Sequence, residues 1–142
     1  MDLRPRPARS YELESLSGAE SAAILKLLMS LDNPSPAIQR AIRAGAAWYE
    51  SAKITGIRVE ERAGGDRVVV EDPDAPLIWA RFYEIETNRP FFCGRDGIKK
   101  YRLSEIEAER RGGYAWYGGW GKDVAKAYDK WKKQRLDTDD AR

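Results

Sequence analysis

Three arginines lie among aromatic residues in the run WARFYEIETNRPFFCGRDG, which spans residues 79–97. They are Arg81, Arg89 and Arg95. A guanidinium binds a carboxylate or a phosphate through two parallel hydrogen bonds, and an aromatic ring offers a flat face for stacking. The run therefore indicates a site for an anionic ligand with a flat face, such as an acidic sugar.

Two of these arginines have neighbours that favour a functional role. Arg81 lies inside the otherwise apolar run from Trp79 to Tyr83, where a buried cation is costly unless an anion meets it. Arg95 lies between Gly94 and Gly97, whose conformational freedom lets backbone and ligand approach closely. Both arginines are therefore candidate ligand-binding residues.

The same residue types also have a purely structural interpretation. Residues 79–120 contain ten of the chain's fifteen aromatic residues, and aromatic side chains commonly fill a protein core. On this interpretation the arginines form surface ion pairs with nearby carboxylates, which contribute little to stability. The candidate carboxylates are Glu84, Glu86 and Asp96.

The composition excludes several classes of function. The chain has 142 residues, which suits one domain with a real core, and its net charge of +2 gives no global attraction to nucleic acid or to a membrane. Histidine is absent, which excludes His-dependent triads and histidine zinc sites, and the single Cys93 cannot form an internal disulfide. No apolar run reaches the ~20 residues of a membrane span, and the first ten residues lack the apolar stretch of a signal peptide.

The carboxylates do not form a convincing acid–base pair or metal site. Glu105, Glu107 and Glu109 alternate along a charged segment that we expect to face water. Residues 137–140 resemble part of a calcium loop, but the remaining ligands and the glycine are missing. The residue pattern therefore predicts no metal site.

Local signals predict two helices near the N-terminus. The capping-box pattern of residues 17–20 and the helical spacing of apolar residues predict a helix over residues 18–31. The apolar residues on one face of this helix are Ile24, Leu27, Leu28 and Leu31. The run Asn-Pro-Ser-Pro at 33–36 starts a second helix over residues 36–52, and the short connection predicts an antiparallel helical hairpin.

The remainder of the chain mixes strands, loops and helices. Alternating and β-branched residues predict a β-hairpin over residues 57–72, followed by a third strand over 77–83. Glycine, proline and asparagine predict an irregular loop over 84–97. A short helix over 104–111 and a last amphipathic helix before a polar tail complete the prediction.

Four stretches of the chain resemble the C-terminal part of pectate lyases of polysaccharide lyase family 10. They are YELESLSGAES with LLMSL, AAWYESAKITGIR, WARFYEIETNRPFFCGRDGIKKY and LSEIEAERRGGYAWYG, which together cover most of residues 11–118 in the family's order. The resemblance implies a mainly α fold with a small β-hairpin region, forming part of an α/α toroid of paired antiparallel helices. It also implies calcium-dependent cleavage of polygalacturonate by β-elimination, in a secreted or periplasmic protein.

The resemblance implies roles for individual residues as well. The arginine of the family's GRD motif is the base that removes the C5 proton of the galacturonate at the +1 subsite, and it matches Arg95. The arginine of the WARFY motif contacts a substrate carboxylate and matches Arg81. Basic residues before the YEL motif and in the helix leading to LMS match Arg9 and Lys26 as further substrate contacts. We add Arg89 from the arginine-rich run.

The family's catalytic domain also has an upstream portion whose aspartates hold calcium, and no matching ligand occurs in this sequence. We therefore expect an N-terminal tail over 1–10, the C-terminal portion of the pectate lyase catalytic domain over 11–120, and a C-terminal helix with a polar tail over 121–142. We expect the calcium ligands mostly outside this chain, which would be inactive without the missing upstream half. Competing hypotheses are a non-catalytic binding module for acidic polysaccharide and, ranked last, single-stranded nucleic-acid binding, which the balanced charge disfavours.

Overall fold

A computed structural model describes residues 4–140, with side chains described as far as residue 137. The four α-helices of this region are α1 (Glu20–Met29), α2 (Pro36–Ala52), α3 (Ala108–Gly112) and α4 (Trp120–Asp140). Its eight strands are β1 (Leu16–Ser17), β2 (Ile57–Glu61), β3 (Arg67–Glu71), β4 (Trp79–Ala80), β5 (Phe82–Tyr83), β6 (Phe92–Cys93), β7 (Lys99–Lys100) and β8 (Tyr117–Gly118). The strands form four separate antiparallel pairs: β1 with β5, β2 with β3, β4 with β8 and β6 with β7.

The two predicted N-terminal helices are confirmed, because their start signals act locally. The hydroxyl oxygen of Ser17 accepts a hydrogen bond from the backbone N–H of Glu20 at 3.1 Å. The hydroxyl oxygen of Ser35 accepts one from the backbone N–H of Ile38 at 3.2 Å, and Pro36 occupies the first helical position. Both contacts satisfy backbone donors that a helix start leaves without partners.

The predicted helical hairpin of α1 and α2 is also confirmed, and α4 packs against both helices. The close approach of α1 and α2 depends on Gly45, where an added Cβ would lie 2.5 Å from Cδ2 of Leu25. Gly121 plays the same role at the start of α4, where a Cβ would lie 2.2 Å from the Trp79 ring. The three long helices therefore form one packed layer.

The predicted α/α toroid is wrong for the described part of the chain. A toroid requires successive helical hairpins, but only α1 and α2 form one within residues 4–140. The β-branched run Val68–Val70 and the loops rich in glycine and proline interrupt the helical pattern after α2. The chain then forms short strand pairs, and α4 returns to the first hairpin instead of starting a second. Helices remain the larger share of the regular structure.

The predicted third strand over 77–83 is divided in two at Arg81. Its first half, β4, pairs with β8, where Trp79 lies opposite Gly118. Its second half, β5, pairs with β1, where Tyr83 lies opposite Leu16. Because the two halves have different partners, Arg81 lies at a junction between two strand pairs.

The buried side chains form two clusters. The larger lies under the three long helices and includes Leu25, Tyr49, Trp79, Tyr83 and Val124. The smaller lies among the irregular segments and comprises Phe92, Leu103, Ile106 and Trp116. Tyr117 packs against both clusters, so the loop region is attached to the helical layer through apolar contacts.

The predicted short helix over 104–111 is observed as a 3-10 turn at Leu103–Glu105 followed by α3. The last predicted helix is longer than expected, because α4 continues to Asp140 through residues interpreted as a tail. Residues 4–10 have no regular secondary structure, whereas residues 1–3 and 141–142 lie outside the described region. Within that region no helix is long and apolar enough to cross a membrane.

Candidate active site

The backbone of Arg81 is held on both sides at the junction between β4 and β5. Its N–H donates to the carbonyl oxygen of Trp116 at 2.7 Å, and its carbonyl oxygen accepts from the N–H of Gly18 at 2.8 Å. Gly18 is required there, because an added Cβ would lie 2.2 Å from the carbonyl oxygen of Ala80. The position of Arg81 is therefore determined by contacts with segments far away in the sequence.

The side chain of Arg81 is 21% exposed and forms an ion pair with Glu20 at the start of α1. Its guanidinium carbon lies 4.6 Å from the ring centroid of Tyr114, which is within the range of a cation–π contact. Its Nε is buried and has no hydrogen-bond partner among the described residues. The cation expected to need an anion is therefore met by a carboxylate and by an aromatic face.

Glu20 is held in its ionised form by this arrangement. Partial burial opposes ionisation, but hydrogen bonds from the Ser17 hydroxyl, from its own backbone N–H and from Arg81 outweigh burial and lower the pKa of Glu20. The same carboxylate thus neutralises Arg81 and contacts Ser17 at the start of α1. Helix α1 and the β4–β5 junction are joined through this one carboxylate.

Arg95 lies in a tight turn and carries an exposed ion pair. The N–H of Gly97 donates to the carbonyl oxygen of Gly94 at 3.3 Å, which closes the turn. Nε of Arg95 lies 3.2 Å from each carboxylate oxygen of Glu109, and Nη2 also donates to this carboxylate. The side chains of Arg95 and Glu109 are 58% and 63% exposed. Hydrogen bonds to Glu109 and its negative charge raise the pKa of Arg95, so the pair favours the charged guanidinium.

The two glycines near Arg95 allow other segments of the same chain to pack closely against the turn. A Cβ on Gly94 would lie 2.2 Å from Oε2 of Glu107, whose Oε1 accepts a hydrogen bond from the N–H of Arg95 at 2.8 Å. Gly97 has a φ of +73°, and a Cβ there would lie 2.8 Å from the carbonyl oxygen of Ser10. The Arg95 turn is thus fixed by the N-terminal segment on one side and by Glu107 on the other.

Arg110 belongs to the site, although the sequence analysis missed it. Its guanidinium carbon lies 5.3 Å from the Tyr11 ring, 5.5 Å from the Tyr114 ring and 5.4 Å from the Trp116 ring. Its Nη2 donates to the carbonyl oxygen of Cys93 at 3.4 Å. The available signal was the stretch ERRGGYAWYG, which places two arginines just before a dense group of aromatics.

Arg9 joins the same group from the N-terminal segment. It is 65% exposed, forms an ion pair with Glu12 and lies 5.2 Å from the Tyr11 ring. Tyr11 therefore lies against both Arg9 and Arg110, and Tyr114 lies against both Arg110 and Arg81. The turn that carries Arg95 adjoins this group, because a Cβ on Gly97 would lie 2.8 Å from the carbonyl oxygen of Ser10. Three arginines thus surround two tyrosines and Arg95 lies on the adjoining turn, and we call Arg9, Arg81, Arg95 and Arg110 the arginine cluster.

Three members of the arginine cluster are each paired with one glutamate. The pairs are Arg9 with Glu12, Arg81 with Glu20 and Arg95 with Glu109. Ion pairs with exposed partners are worth only about 0–1 kcal/mol, so another carboxylate can replace the glutamate at little cost. The cluster can therefore bind a ligand that carries several carboxylates.

Lys26 and Arg89 lie apart from the arginine cluster. Lys26 is exposed on α1 and makes no ion pair or cation–π contact in the described part of the chain. Arg89 stacks on the Tyr101 ring at 3.8 Å, and Tyr101 in turn donates a hydrogen bond to Glu84 at 3.0 Å. Their predicted roles as substrate contacts stay predictions.

The structural interpretation of this region is half right. Five of its aromatics are buried in the core: Trp79, Tyr83, Phe91, Phe92 and Trp116. The carboxylates expected to pair with the arginines instead meet lysines, since Glu84 pairs with Lys99 and Asp96 with Lys100. Arg81 and Arg95 pair with glutamates from other elements, which no local pattern could indicate.

Carboxylates do not converge into a metal site in the described residues. No group of three or more aspartate, glutamate, cysteine or histidine side chains there is arranged to hold a metal ion. Glu12, Glu20 and Glu109 are each paired with an arginine, and Glu107 accepts a hydrogen bond from the backbone N–H of Arg95. These residues therefore do not fit calcium.

Comparison with solved structures places this fold in the class of polysaccharide lyases. A family 10 polysaccharide lyase from Cellvibrio cellulosa superimposes with a TM-score of 0.83 and 37% identity, covering 93% of this chain and 41% of that one. An aspartate-to-alanine variant of a family 10 lyase from the same organism, in complex with trigalacturonic acid, gives a TM-score of 0.81 and 38% identity, covering 92% of this chain and 41% of that one.

The sequence comparison gives the family. The profile of the pectic acid lyases matches residues 1–125, and the chain belongs to that family. The predicted resemblance to family 10 lyases is therefore confirmed. A search of curated proteins found no significant match. The chain spans about two-fifths of the length of the solved relatives.

Proposed function

We propose that this chain is the C-terminal part of a pectate lyase that cleaves polygalacturonate by β-elimination. The observation that carries the proposal is the arginine cluster, in which three arginines are held by exposed and replaceable carboxylates. Polygalacturonate presents one carboxylate per sugar, so successive uronates can replace the glutamates. The complex of a solved relative with trigalacturonic acid supports this substrate class.

Within this proposal Arg95 is the base and Arg81 binds the carboxylate of the reacting sugar. The base takes the proton from C5, the C–H electrons form the C4–C5 double bond, and the bond from C4 to the leaving oxygen breaks. The departing oxygen then takes up a proton. The Arg81 guanidinium stabilises the negative charge that develops on the carboxylate beside C5, which is the usual source of electrostatic catalysis.

The ion pair with Glu109 opposes the role of Arg95 as a base. A base must be neutral, whereas Glu109 raises the pKa of Arg95 and favours its charged form. Arg95 must therefore separate from Glu109 before proton transfer. Neighbouring cations then favour the neutral form, and Arg110 is a candidate because it directly follows Glu109, the partner of Arg95, in α3.

Calcium and the upstream half of the domain complete the proposal. The described residues do not fit calcium, so its ligands would come from the part of the lyase that this chain does not match. Family membership also suggests that the lyase acts outside the cell, where pectate occurs. The chain alone is then expected to lack activity.

Release of unsaturated oligogalacturonate tests this function. The chain is assayed alone and after co-expression with the remaining part of the Cellvibrio cellulosa lyase, with calcium present. We expect no product from the chain alone and turnover from the combination. Arg95→Gln, which removes the basic group, is expected to abolish turnover, whereas Arg102→Gln, at an exposed position outside the cluster, leaves it unchanged. Robust turnover by the chain alone contradicts the fragment proposal, and activity in Arg95→Gln contradicts the base assignment.

A second candidate function is a non-catalytic binding module for acidic polysaccharide. The charged state of Arg95 favours it, because a guanidinium held by Glu109 suits carboxylate binding better than proton removal. Affinity electrophoresis in a gel that contains polygalacturonate measures how strongly each variant is retained by the polysaccharide. Arg81→Ala and Arg95→Ala are expected to reduce retention, with Arg102→Ala as the control, and unchanged retention in both contradicts binding by the cluster.

A further inference from the structure

Helix α1 is apolar on all sides. Seven of its ten residues, in the sequence ESAAILKLLM, are alanine, isoleucine, leucine or methionine. A helix at the surface of a protein usually has one apolar face and one polar face, whereas a helix that is apolar all round is typical of a buried element. The composition of α1 therefore predicts contacts on both of its faces.

Only one face of α1 is covered in the described structure. Ala22 and Leu25 are buried against α2 and α4, with 4% and 7% exposure. Ile24, Leu27 and Leu31 are instead 58%, 63% and 41% exposed. Helical spacing predicted these three residues on one face of the helix, and that face is exposed because Ala22 and Leu25 occupy the core side. We call Ile24, Leu27 and Leu31 the apolar row.

The apolar row is continuous along one side of the helix. Its members are spaced by three and four residues, which places them on the same face, and the N–H of Leu31 donates to the carbonyl oxygen of Leu28 at 3.3 Å, which extends the last turn. Single exposed apolar residues are ordinary, but a contiguous group marks an interaction site. By contrast, the exposed apolar residue Leu136 on α4 has charged neighbours along its helix.

We propose that the apolar row is the docking surface for the portion of a family 10 lyase that lies outside the region matched by this chain. The solved relatives are more than twice as long as the part that aligns, so more than half of each is available as the occupant. This inference rests on the proposed function, because the partner it names is the upstream part of the lyase that would complete the active site beside the arginine cluster.

The position of α1 in the site supports this occupant over an unrelated protein. The helix begins at Glu20, which binds Arg81, and Lys26 is exposed on the same helix next to Leu27. A partner that covers the apolar row therefore lies beside the arginine cluster. That is where the second wall of a substrate cleft and the calcium ligands are needed.

Binding without substrate tests the docking surface. The full chain carries an affinity tag and is co-expressed with the part of the Cellvibrio cellulosa lyase outside the matched region, and the affinity of the purified complex is then measured by titration. We expect a one-to-one complex. Leu27→Glu should weaken it by about tenfold or more, the effect of losing one buried leucine from an interface. Leu136→Glu is the matched control, since Leu27 and Leu136 are 63% and 65% exposed.

The outcomes separate this inference from the proposed function. A complex that Leu27→Glu weakens and that Leu136→Glu and Arg95→Gln leave intact supports docking, whether or not the complex turns over substrate. Absence of a complex with the wild-type chain overturns the proposal, as does a complex insensitive to Leu27→Glu. Self-association of the chain alone that Leu27→Glu abolishes would assign the apolar row to a second copy and also overturn it. Circular dichroism of each variant verifies that α1 remains helical.

Discussion

At the scale of single residues, the site is organised by exchangeable charge pairs. Glu109 accepts hydrogen bonds from Arg95 and has a lowered pKa as a result, so both partners remain charged near neutral pH. Exposed pairs of this kind are weak because water and salt screen them. Glu109 thus neutralises Arg95 and holds its side chain in place until an anionic ligand that binds more strongly replaces the glutamate.

Removing the charge of Glu109 should strengthen binding of oligogalacturonate. In Glu109→Gln the ligand no longer displaces a carboxylate from Arg95, and the gain is expected to be roughly two- to fivefold, in keeping with a weak exposed pair. Isothermal titration measures the change. Glu105→Gln is the control, because Glu105 is exposed on the neighbouring turn and has no ion pair in the described region. Weaker binding in Glu109→Gln would show that Glu109 positions Arg95 rather than competing for it.

At the scale of elements, the hairpin of β2 and β3 is attached to α3 through one ion pair. Nε and Nη2 of Arg111 donate to the two carboxylate oxygens of Asp66 at 2.8 and 2.9 Å, and Nη1 donates to the carbonyl oxygen of Ile106 at 2.6 Å. A Cβ on Gly112 would lie 2.1 Å from the carbonyl oxygen of Gly65, so the turn of the hairpin lies directly on α3. The hairpin thereby supports the helix that carries Glu109 and Arg110.

The stabilising effect of this pair should depend on pH. The hydrogen bonds from Arg111 lower the pKa of Asp66 from 3.8 to about 2. A carboxyl group whose pKa is lowered by folding stabilises the folded state fully at pH values above its pKa in the unfolded chain. That contribution is lost as the pH falls through the pKa in the folded chain, which is about 2. Asp66→Asn should therefore reduce the urea midpoint most near neutral pH, progressively less below pH 3.8, and hardly at all once the pH lies well below about 2. Asp74→Asn is the control, and a pH-independent effect of Asp66→Asn would contradict the role of the ion pair.

At the scale of the whole molecule, the two buried clusters are joined through Tyr117. This residue packs against both clusters and lies in β8, opposite Ala80 of β4. Burial raises the pKa of Tyr117 to about 12, which reflects the apolar surroundings of its hydroxyl. The loops that carry the arginine cluster are therefore coupled to the helical layer by packing.

Truncation of Tyr117 should destabilise both clusters together. Tyr117→Ala removes a large ring from their junction and is expected to cost roughly 3 kcal/mol, as for other large aromatic truncations. Chemical denaturation followed by tryptophan fluorescence and by circular dichroism should still give a single shared transition. Tyr117→Phe keeps the ring and should remain close to wild type. Separate transitions for the two signals in the wild-type chain would show that the clusters fold independently.

Features that depend on neighbouring residues could be predicted from the amino-acid order. The caps and apolar spacing predicted α1, α2 and their hairpin, because a serine or proline acts on the backbone within one helical turn. The setting of Arg81 among apolar residues identified it as a cation that needs an anion. Family membership could likewise be predicted, because the matching stretches preserve type and order.

Features that depend on contacts between distant segments could be read only from the folded chain. The tertiary structure divided the predicted strand at Arg81, paired Arg95 with Glu109 and placed Arg110 among aromatic rings, since each partner comes from another element. It also replaced the expected toroid by one layer of three helices. It decided which face of α1 is buried, because both faces are apolar and packing against α2 and α4 covers the side of Leu25. Local sequence patterns indicate the periodicity and charge of a segment. The partners of a charged residue or a strand, and the burial of a helix face, depend instead on which segments pack together in the fold.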